Sequence, residues 1–120
     1  MTTPVSLSLP DQIAGTVHQM AALERRSYAE MVQVLLEEAL KVREHPGIYF
    51  MDGPTGRRAR LHGGPDVWEI LQPYLVWGKS WEVLRDSFAQ LDEQLLRTAL
   101  AYYEAYPDEI EQHVAMNIGE

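Results

Sequence analysis

Two short clusters of arginine are the side chains best suited to chemistry in this sequence, and the chemistry that they suggest is phosphate binding. Arg25 and Arg26 are adjacent, and Arg57, Arg58 and Arg60 form the densest basic stretch of the chain. Closely spaced guanidinium groups can neutralise neighbouring phosphates of a nucleic-acid backbone. We therefore expect any phosphate-binding surface to include one of these two clusters.

The other reactive side chains form no recognisable catalytic or metal-binding pattern. The four histidines are scattered, and Glu109 and His113, four residues apart, are better explained as a solvated pair on one helix face. The loop from Asp52 to Gly56 lacks the Lys-Ser/Thr ending of a nucleotide-binding loop. The sequence therefore predicts no metal and no cofactor, and we expect a protein that is not an enzyme.

The charge is distributed unevenly along the 120 residues. The net charge is -8 overall; residues 1–45 carry four basic and six acidic side chains, and residues 46–64 carry three arginines and one aspartate. From residue 65 onward, three basic side chains stand against eleven acidic ones. The last segment thus presents an acidic surface that suits a protein partner better than DNA.

Composition also indicates where the protein functions. The sequence has no cysteine, no export signal at its start and no apolar run near the roughly 20 residues that span a bilayer. We expect a cytoplasmic protein that does not bind a membrane.

The first residues have the alternation of a short β-strand. Three apolar side chains at positions 5, 7 and 9 alternate with Ser6 and Ser8, until Pro10 ends the pattern. A lone strand at a chain end has unpaired backbone groups along both edges. We expect it to pair with the same strand of a second subunit.

Two amphipathic helices follow this strand. Asp11 begins a helix that ends near Glu24, and the capping box from Ser27 to Glu30 starts a second one at Tyr28. The apolar face of the second helix is too broad to be covered by the first helix alone. Dimerisation would supply the missing surface.

This order of strand, helix, polar turn and helix resembles the ribbon-helix-helix family of bacterial repressors and antitoxins, over residues 4–43. The resemblance implies a dimer whose paired strands enter the DNA major groove. Ser6 and Ser8 would then face base edges, and the turn with Arg25, Arg26 and Ser27 would contact phosphate. The alternative is that the serines solvate an exposed face and the arginines form an ordinary polar turn.

A small β-hairpin is predicted between residues 46 and 64. Residues 48–51 read as one strand and residues 58–61 as its partner, joined by a turn-rich loop. Arg57, Arg58 and Arg60 would lie near its tip or edge and could reach phosphates. Equally, they could pair with the acidic helices that follow, or with acidic groups across the dimer.

Four helix starts are visible in the remaining segment. Asp66, Ser80 and Asp92 are capping residues, and Pro107 occupies a favoured first-turn position. The first of these helices should end near Trp77 and Gly78. Three helices with a tight turn suggest a helix-turn-helix arrangement.

Residues 46–113 resemble a helix-turn-helix family of uncharacterised function that includes VapB-type antitoxins. Members of that family are often encoded beside a PIN-like ribonuclease toxin, so the resemblance implies a toxin partner. The helix from Asp92 to Tyr103 is acidic and would meet DNA unfavourably, so we interpret it as a packing or partner-binding element. The motifs that carry the resemblance are Gly56-Arg-Arg-Ala-Arg-Leu-His-Gly-Gly64, Pro65-Asp-Val-Trp-Glu-Ile70, Gly78-Lys-Ser-Trp-Glu-Val83, Leu91-Asp-Glu-Gln94 and Ala99-Leu-Ala-Tyr-Tyr103.

Aromatic side chains recur in this last segment. Trp68, Trp81, Tyr102 and Tyr103 could anchor a protein interface, but at helical spacing they are more often part of a core.

The sequence thus predicts a mainly α fold. We expect a ribbon-helix-helix domain over residues 1–45, a hairpin linker with the Arg cluster over residues 46–64 and a helix-turn-helix-like domain over residues 65–120. The leading hypothesis is an antitoxin and transcriptional repressor: a homodimer or higher oligomer that binds operator DNA and masks a toxin with its acidic C-terminal half. The alternatives are a stand-alone regulator with a C-terminal oligomerisation or protein-interaction domain, and a small ligand-binding module or enzyme.

Overall fold

The computed structural model describes residues 1–53 and 56–118. Within these residues the chain is mainly helical with one two-stranded antiparallel hairpin, which confirms the predicted class and the hairpin after the second helix. No helix there is long and apolar enough to cross a membrane. The elements are α1 (Asp11–Glu24), α2 (Tyr28–Glu44), β1 (Ile48–Gly53), β2 (Gly56–Leu61), α3 (Val67–Val76), α4 (Trp81–Ser87), α5 (Glu93–Ala105) and α6 (Pro107–Ile118).

The chain divides into two compact units, Met1–Ala39 and Leu40–Glu120. The division falls within α2 rather than after it. The hairpin, which the sequence suggested as a linker, belongs to the second unit, because Ile48, Ala59 and Leu61 are buried in the core of that unit.

The first unit has a very small core. Val17, Ala21 and Met31 are its buried apolar side chains. Five further apolar side chains are partly buried against them: Met20, Tyr28, Val32, Val34 and Leu35. The first unit therefore has a much smaller buried core than the second.

The turn between α1 and α2 is short and closed. Arg25 adopts a left-handed conformation with φ 57° at the end of α1. The amide of Arg26 donates to the carbonyl of Ala21 at 2.9 Å, as in a helix-ending turn. The helix bounds predicted on either side of this turn are confirmed.

Residues 1–10 form no strand in the single chain. Their backbone makes no hydrogen bond to other described residues, apart from the Pro10 carbonyl, which accepts from Ala14 at the start of α1. A strand exists only as a member of a hydrogen-bonded pair. The strand expected over residues 5–9 is therefore not formed in the single chain.

In the second unit, α3 packs against β2, α4, α5 and α6. The hairpin runs in register from the pair Ile48–Leu61 to the pair Gly53–Gly56. The buried core brings together side chains from the hairpin and from the four helices α3 to α6, including Ile70, Leu96 and Ile110.

The predicted helix starts of the second unit are confirmed. The Ser80 hydroxyl accepts from the amide of Val83 at 3.4 Å, and an Asp92 carboxylate oxygen accepts from the amide of Gln94 at 2.8 Å. Asp66 precedes α3, and Pro107 is the first residue of α6. Local capping chemistry therefore set these boundaries.

Candidate functional site

The amino-terminal segment and the first half of α2 line an open apolar groove of about 760 Å³. Val5 and Leu7, both on this groove, are 79% and 61% exposed. A segment with unpaired backbone groups and exposed apolar side chains offers both to another chain. The groove is lined by Thr2, Thr3, Pro4, Val5, Leu7, Leu9, Tyr28, Ala29, Val32, Gln33 and Leu36.

The two predicted base-facing serines do not line this groove. Ser6 and Ser8 are exposed, and neither makes a hydrogen bond to the described residues. The alternation read from the sequence is thus present in the single chain, with the apolar residues at the groove and the serines away from it. Both hydroxyls are available as donors and acceptors.

The predicted capping box at the start of α2 is fully formed. The amide of Ser27 donates to Glu30 Oε1 at 3.0 Å, and the amide of Glu30 donates to Ser27 Oγ at 3.1 Å. The amides of Tyr28 and Ala29 have no partner among the described residues. Two free N–H groups at a helix start are suitable donors to a phosphate oxygen.

The Glu30 carboxylate disfavours phosphate binding at the start of α2. The hydrogen bond from the Ser27 backbone, followed by that from its side chain, lowers the pKa of Glu30 below the usual value. The carboxylate is therefore charged at neutral pH, close to the amides that a phosphate would use. A phosphate bound there would be attracted by the amides and repelled by this carboxylate.

The neighbouring arginines lie in the same turn. Arg26 Nε is 3.1 Å from a carboxylate oxygen of Glu24, and both side chains are nearly half exposed. Arg25 is exposed and makes no side-chain hydrogen bond or ion pair within the described part of the chain. Together, Arg25, Arg26 and Ser27 place two guanidinium groups beside the start of α2.

The structure places the three hairpin arginines in different environments. Arg57 is exposed, with its guanidinium 3.6 Å from Asp52. Arg58 is buried, 2.8 Å from Asp66, and Arg60 lies 3.1 Å from the same carboxylate. For Arg58 and Arg60 the structure shows the second alternative, pairing with acidic groups of the segment that follows.

Asp66 is the centre of a buried polar cluster. Its carboxylate accepts from Trp68 Nε1 at 3.0 Å in addition to pairing with both arginines, and Arg60 also donates to the carbonyl of Gly64 at 3.1 Å. A side chain on Gly53 would collide with the Arg58 guanidinium, so the glycine leaves the space that this arginine fills. These contacts join the hairpin to the start of α3.

Other cations of the second unit are also paired. Lys41 Nζ lies 2.7 Å from Glu109, whose other oxygen accepts from the Tyr102 hydroxyl at 2.6 Å. Arg97, the cation of α5, lies 3.3 Å from Glu93 and 4.6 Å from the Trp81 ring. The acidic character read from the sequence is therefore not offset by a basic cluster on α5.

The aromatic residues singled out in the sequence belong to the core. Tyr102 and Tyr103 are buried, and Trp68 and Trp81 are half-buried and packed against the same core. Trp77 is different, because its side chain is 68% exposed. In the sequence Trp77 marked only the end of a helix. Its position directly before the glycine that ends the helix is the feature that could have indicated its exposure.

Comparison with known proteins yields no relative. No family model, no curated protein and no solved structure matches the chain. Among the described residues, no group of three or more histidine, aspartate or glutamate side chains could hold a metal ion. The function must therefore be argued from the geometry described above.

Proposed function

We propose that this chain is a dimeric DNA-binding repressor of the ribbon-helix-helix type, whose acidic C-terminal unit neutralises a toxin protein. The observation that carries the proposal is the segment of residues 2–9. It has alternating apolar and serine side chains, it lies beside α2, and its backbone and apolar face are both uncovered.

A second copy of the chain could pair with the backbone of this segment and help to cover its apolar face. Pairing two copies antiparallel would give each backbone hydrogen-bonding partners. If the two-fold axis passes by Leu7, the alternation places all six apolar side chains of the pair on one face, over the α2 helices. The four serine hydroxyls, from Ser6 and Ser8 of each copy, then share the opposite face.

That serine face is proposed to enter the major groove. Hydroxyls can donate to or accept from any base edge, so they discriminate bases weakly and can also act through water. The start of α2, with Arg25, Arg26 and Ser27, would hold phosphates on either side. Arg57 is a second candidate contact, whereas Arg58 and Arg60 are assigned to the cluster around Asp66.

The toxin-neutralising role rests on charge and on the resemblance noted above. Residues 65–120 carry a net charge of -8. Such a surface would bind the basic channel with which a ribonuclease holds RNA, and would block that channel without any chemistry by this chain.

The test is binding of the purified protein to the DNA upstream of its own gene, across a series of salt concentrations. Neutralised phosphates predict a log–log slope of about -0.9 per contact. Changing both Ser6→Glu and Ser8→Glu should abolish binding, because four added carboxylates per dimer would face the groove.

A matched variant controls for charge alone. Ser87→Glu with Gln90→Glu adds the same charge at exposed positions of the second unit. This variant should bind DNA nearly as well as the unchanged protein. Equal binding by both double variants would show that the amino-terminal segment is not the DNA-binding element.

A further inference from the structure

An exposed apolar corner closes α3 in the second unit. Val76 and Trp77, the last residue of the helix and its cap, are 58% and 68% exposed. Two adjacent large apolar side chains are exposed to water at this corner, and such exposure can mark a binding site. Tryptophan is enriched at binding hot spots.

The corner is held in a defined conformation. The amide of Trp77 donates to the Pro73 carbonyl at 2.9 Å, and the amide of Lys79 donates to the Tyr74 carbonyl at 2.6 Å. Gly78 and Lys79 both have left-handed backbones, with φ 79° and φ 60°. These bonds order the backbone that carries the Trp77 side chain, so binding does not have to order this backbone.

Trp77 differs from the two other tryptophans in having no internal role. Trp68 Nε1 donates to Asp66, and the ring of Trp81 lies under the guanidinium of Arg97. Within residues 56–118, Trp77 takes part in no side-chain hydrogen bond or ring contact. Its indole is free to receive a ligand on its face.

The corner belongs to an acidic segment of the chain, although its nearest charged neighbour in sequence is Lys79. Tyr74, one turn before Trp77, packs edge-on against Tyr103, whose hydroxyl donates to the exposed Glu111 at 2.6 Å. Lys79 is the local cation, and its ammonium lies over the Tyr103 ring at 5.8 Å. Over residues 65–118 ten acidic side chains face three basic ones, a net charge of -7.

We propose that Val76 and Trp77 are the anchor at which the C-terminal unit binds a basic protein segment. An arginine or lysine of the partner would stack on the indole, and the net negative charge of residues 65–118 would attract it. The inference rests on the proposed function in taking the partner to be a protein. The same segment of a second copy is a poor occupant of this corner, because its own residues 65–118 would bring the same excess of negative charge.

The experiment follows the indole N–H signals of the full-length chain by NMR during titration with an oligoarginine peptide. The Trp77 signal, assigned by its loss in Trp77→Phe, should shift, while that of Trp68, which is bonded to Asp66, should barely move. An oligoglutamate peptide is the charge control and should shift neither signal.

Affinity measurements on variants make the test quantitative. Trp77→Ala should weaken oligoarginine binding at least tenfold, which corresponds to about 1.4 kcal/mol. Met51→Ala removes another exposed apolar side chain of the same unit, 43% exposed, and should leave the affinity unchanged. Equal affinity of Trp77→Ala and the unchanged protein would overturn the proposal.

Two further readouts separate this inference from the proposed function. Sedimentation of Trp77→Ala should show the same oligomer as the unchanged protein; loss of an oligomer would mean that a second copy covers the corner, and would overturn the basic-segment proposal. Binding of Trp77→Ala to upstream DNA should be unaltered. If oligoarginine binding is indifferent to Trp77 while DNA binding persists, only the present inference fails.

Discussion

At the scale of single residues, Asp66 is a buried carboxylate that pairs with two arginines. Its side chain is 6% exposed and compensates two arginines, one of which, Arg58, is 9% exposed. A buried ion pair contributes little net stability compared with an apolar replacement, but removing one partner leaves the other charge buried and unpaired.

Asp66→Asn is therefore expected to destabilise the second unit by about 3 kcal/mol. Asparagine is as good a helix cap as aspartate, so the loss of stability reports the removal of the negative charge and not the loss of the cap. Asp52→Asn is the control: Asp52 also pairs with an arginine, but its side chain is 88% exposed, and the change should cost under about 0.5 kcal/mol. Denaturant unfolding of both variants measures the difference; similar small losses would show that the cluster is not structural.

Tyr103 gives the chain an alkaline limit of stability. Burial, together with the hydrogen bond to Glu111, raises the pKa of Tyr103 from 10.0 to about 12. As pH rises, the Tyr103 hydroxyl loses its proton in the unfolded chain before it does so in the folded one. The stability that Tyr103 contributes to the folded state is therefore complete below pH 10 and is lost as pH rises through about 12.

Tyr103→Phe should therefore flatten the fall in unfolding free energy between pH 10 and about 12. At neutral pH the same variant should cost about 1 kcal/mol, because the hydrogen bond to Glu111 is lost. The measurement is a denaturant titration repeated across this pH range. If the unfolding free energy of the variant falls as steeply at alkaline pH, other tyrosines cause the fall, such as Tyr106, whose pKa is also raised by burial.

At the scale of elements, the start of α2 combines attraction and repulsion for phosphate. The free amides of Tyr28 and Ala29 favour an anion, and the Glu30 carboxylate opposes it. Glutamine can replace glutamate in a capping box, so the helix start can be preserved while the charge is removed.

Glu30→Gln is expected to tighten DNA binding a few-fold at low salt, with a smaller gain at high salt because the repulsion is screened. Glu37→Gln removes the same charge from an exposed position farther along α2 and should have a smaller effect. Fluorescence anisotropy with labelled upstream DNA measures both variants. No difference between them would argue against phosphate binding at the start of α2.

The helices and the hairpin were readily predictable from the sequence because their signals are local. Capping residues such as Ser27, Ser80 and Asp92 fixed the helix starts, whereas the strand predicted around Leu7 is not formed in the single chain. For Arg58 and Arg60 the sequence left phosphate binding and pairing with acidic groups equally open, since the choice depends on Asp66 lying against the hairpin. The exposure of Trp77 likewise depends on which face of α3 the other helices cover.

At the scale of the whole molecule, the two units differ in how much of their apolar surface is buried. The second unit has a broad core joining the hairpin to its helices, whereas the first buries only Val17, Ala21 and Met31 fully. Leu7, Ile13, Leu23 and Leu36 of the first unit are all more than half exposed. The proposed association through the first unit would cover this apolar surface.

The central claim is that two copies pair through residues 5–9, and cross-linking tests it most directly because the chain has no cysteine. With the axis at Leu7, Ser6 of one copy lies opposite Ser8 of the other, at about 4.5–5.5 Å between Cα atoms, within the range for a disulfide. Two copies of Ser6 would be about 7–8 Å apart or more.

The account predicts that the double variant Ser6→Cys with Ser8→Cys forms covalent dimers under mild oxidation. Each single variant should form far fewer, and Ser87→Cys, at an exposed position of the second unit, should form almost none. If the double variant gives no more covalent dimer than Ser87→Cys, the two amino-terminal segments do not pair, and the ribbon on which the DNA-binding proposal depends does not exist.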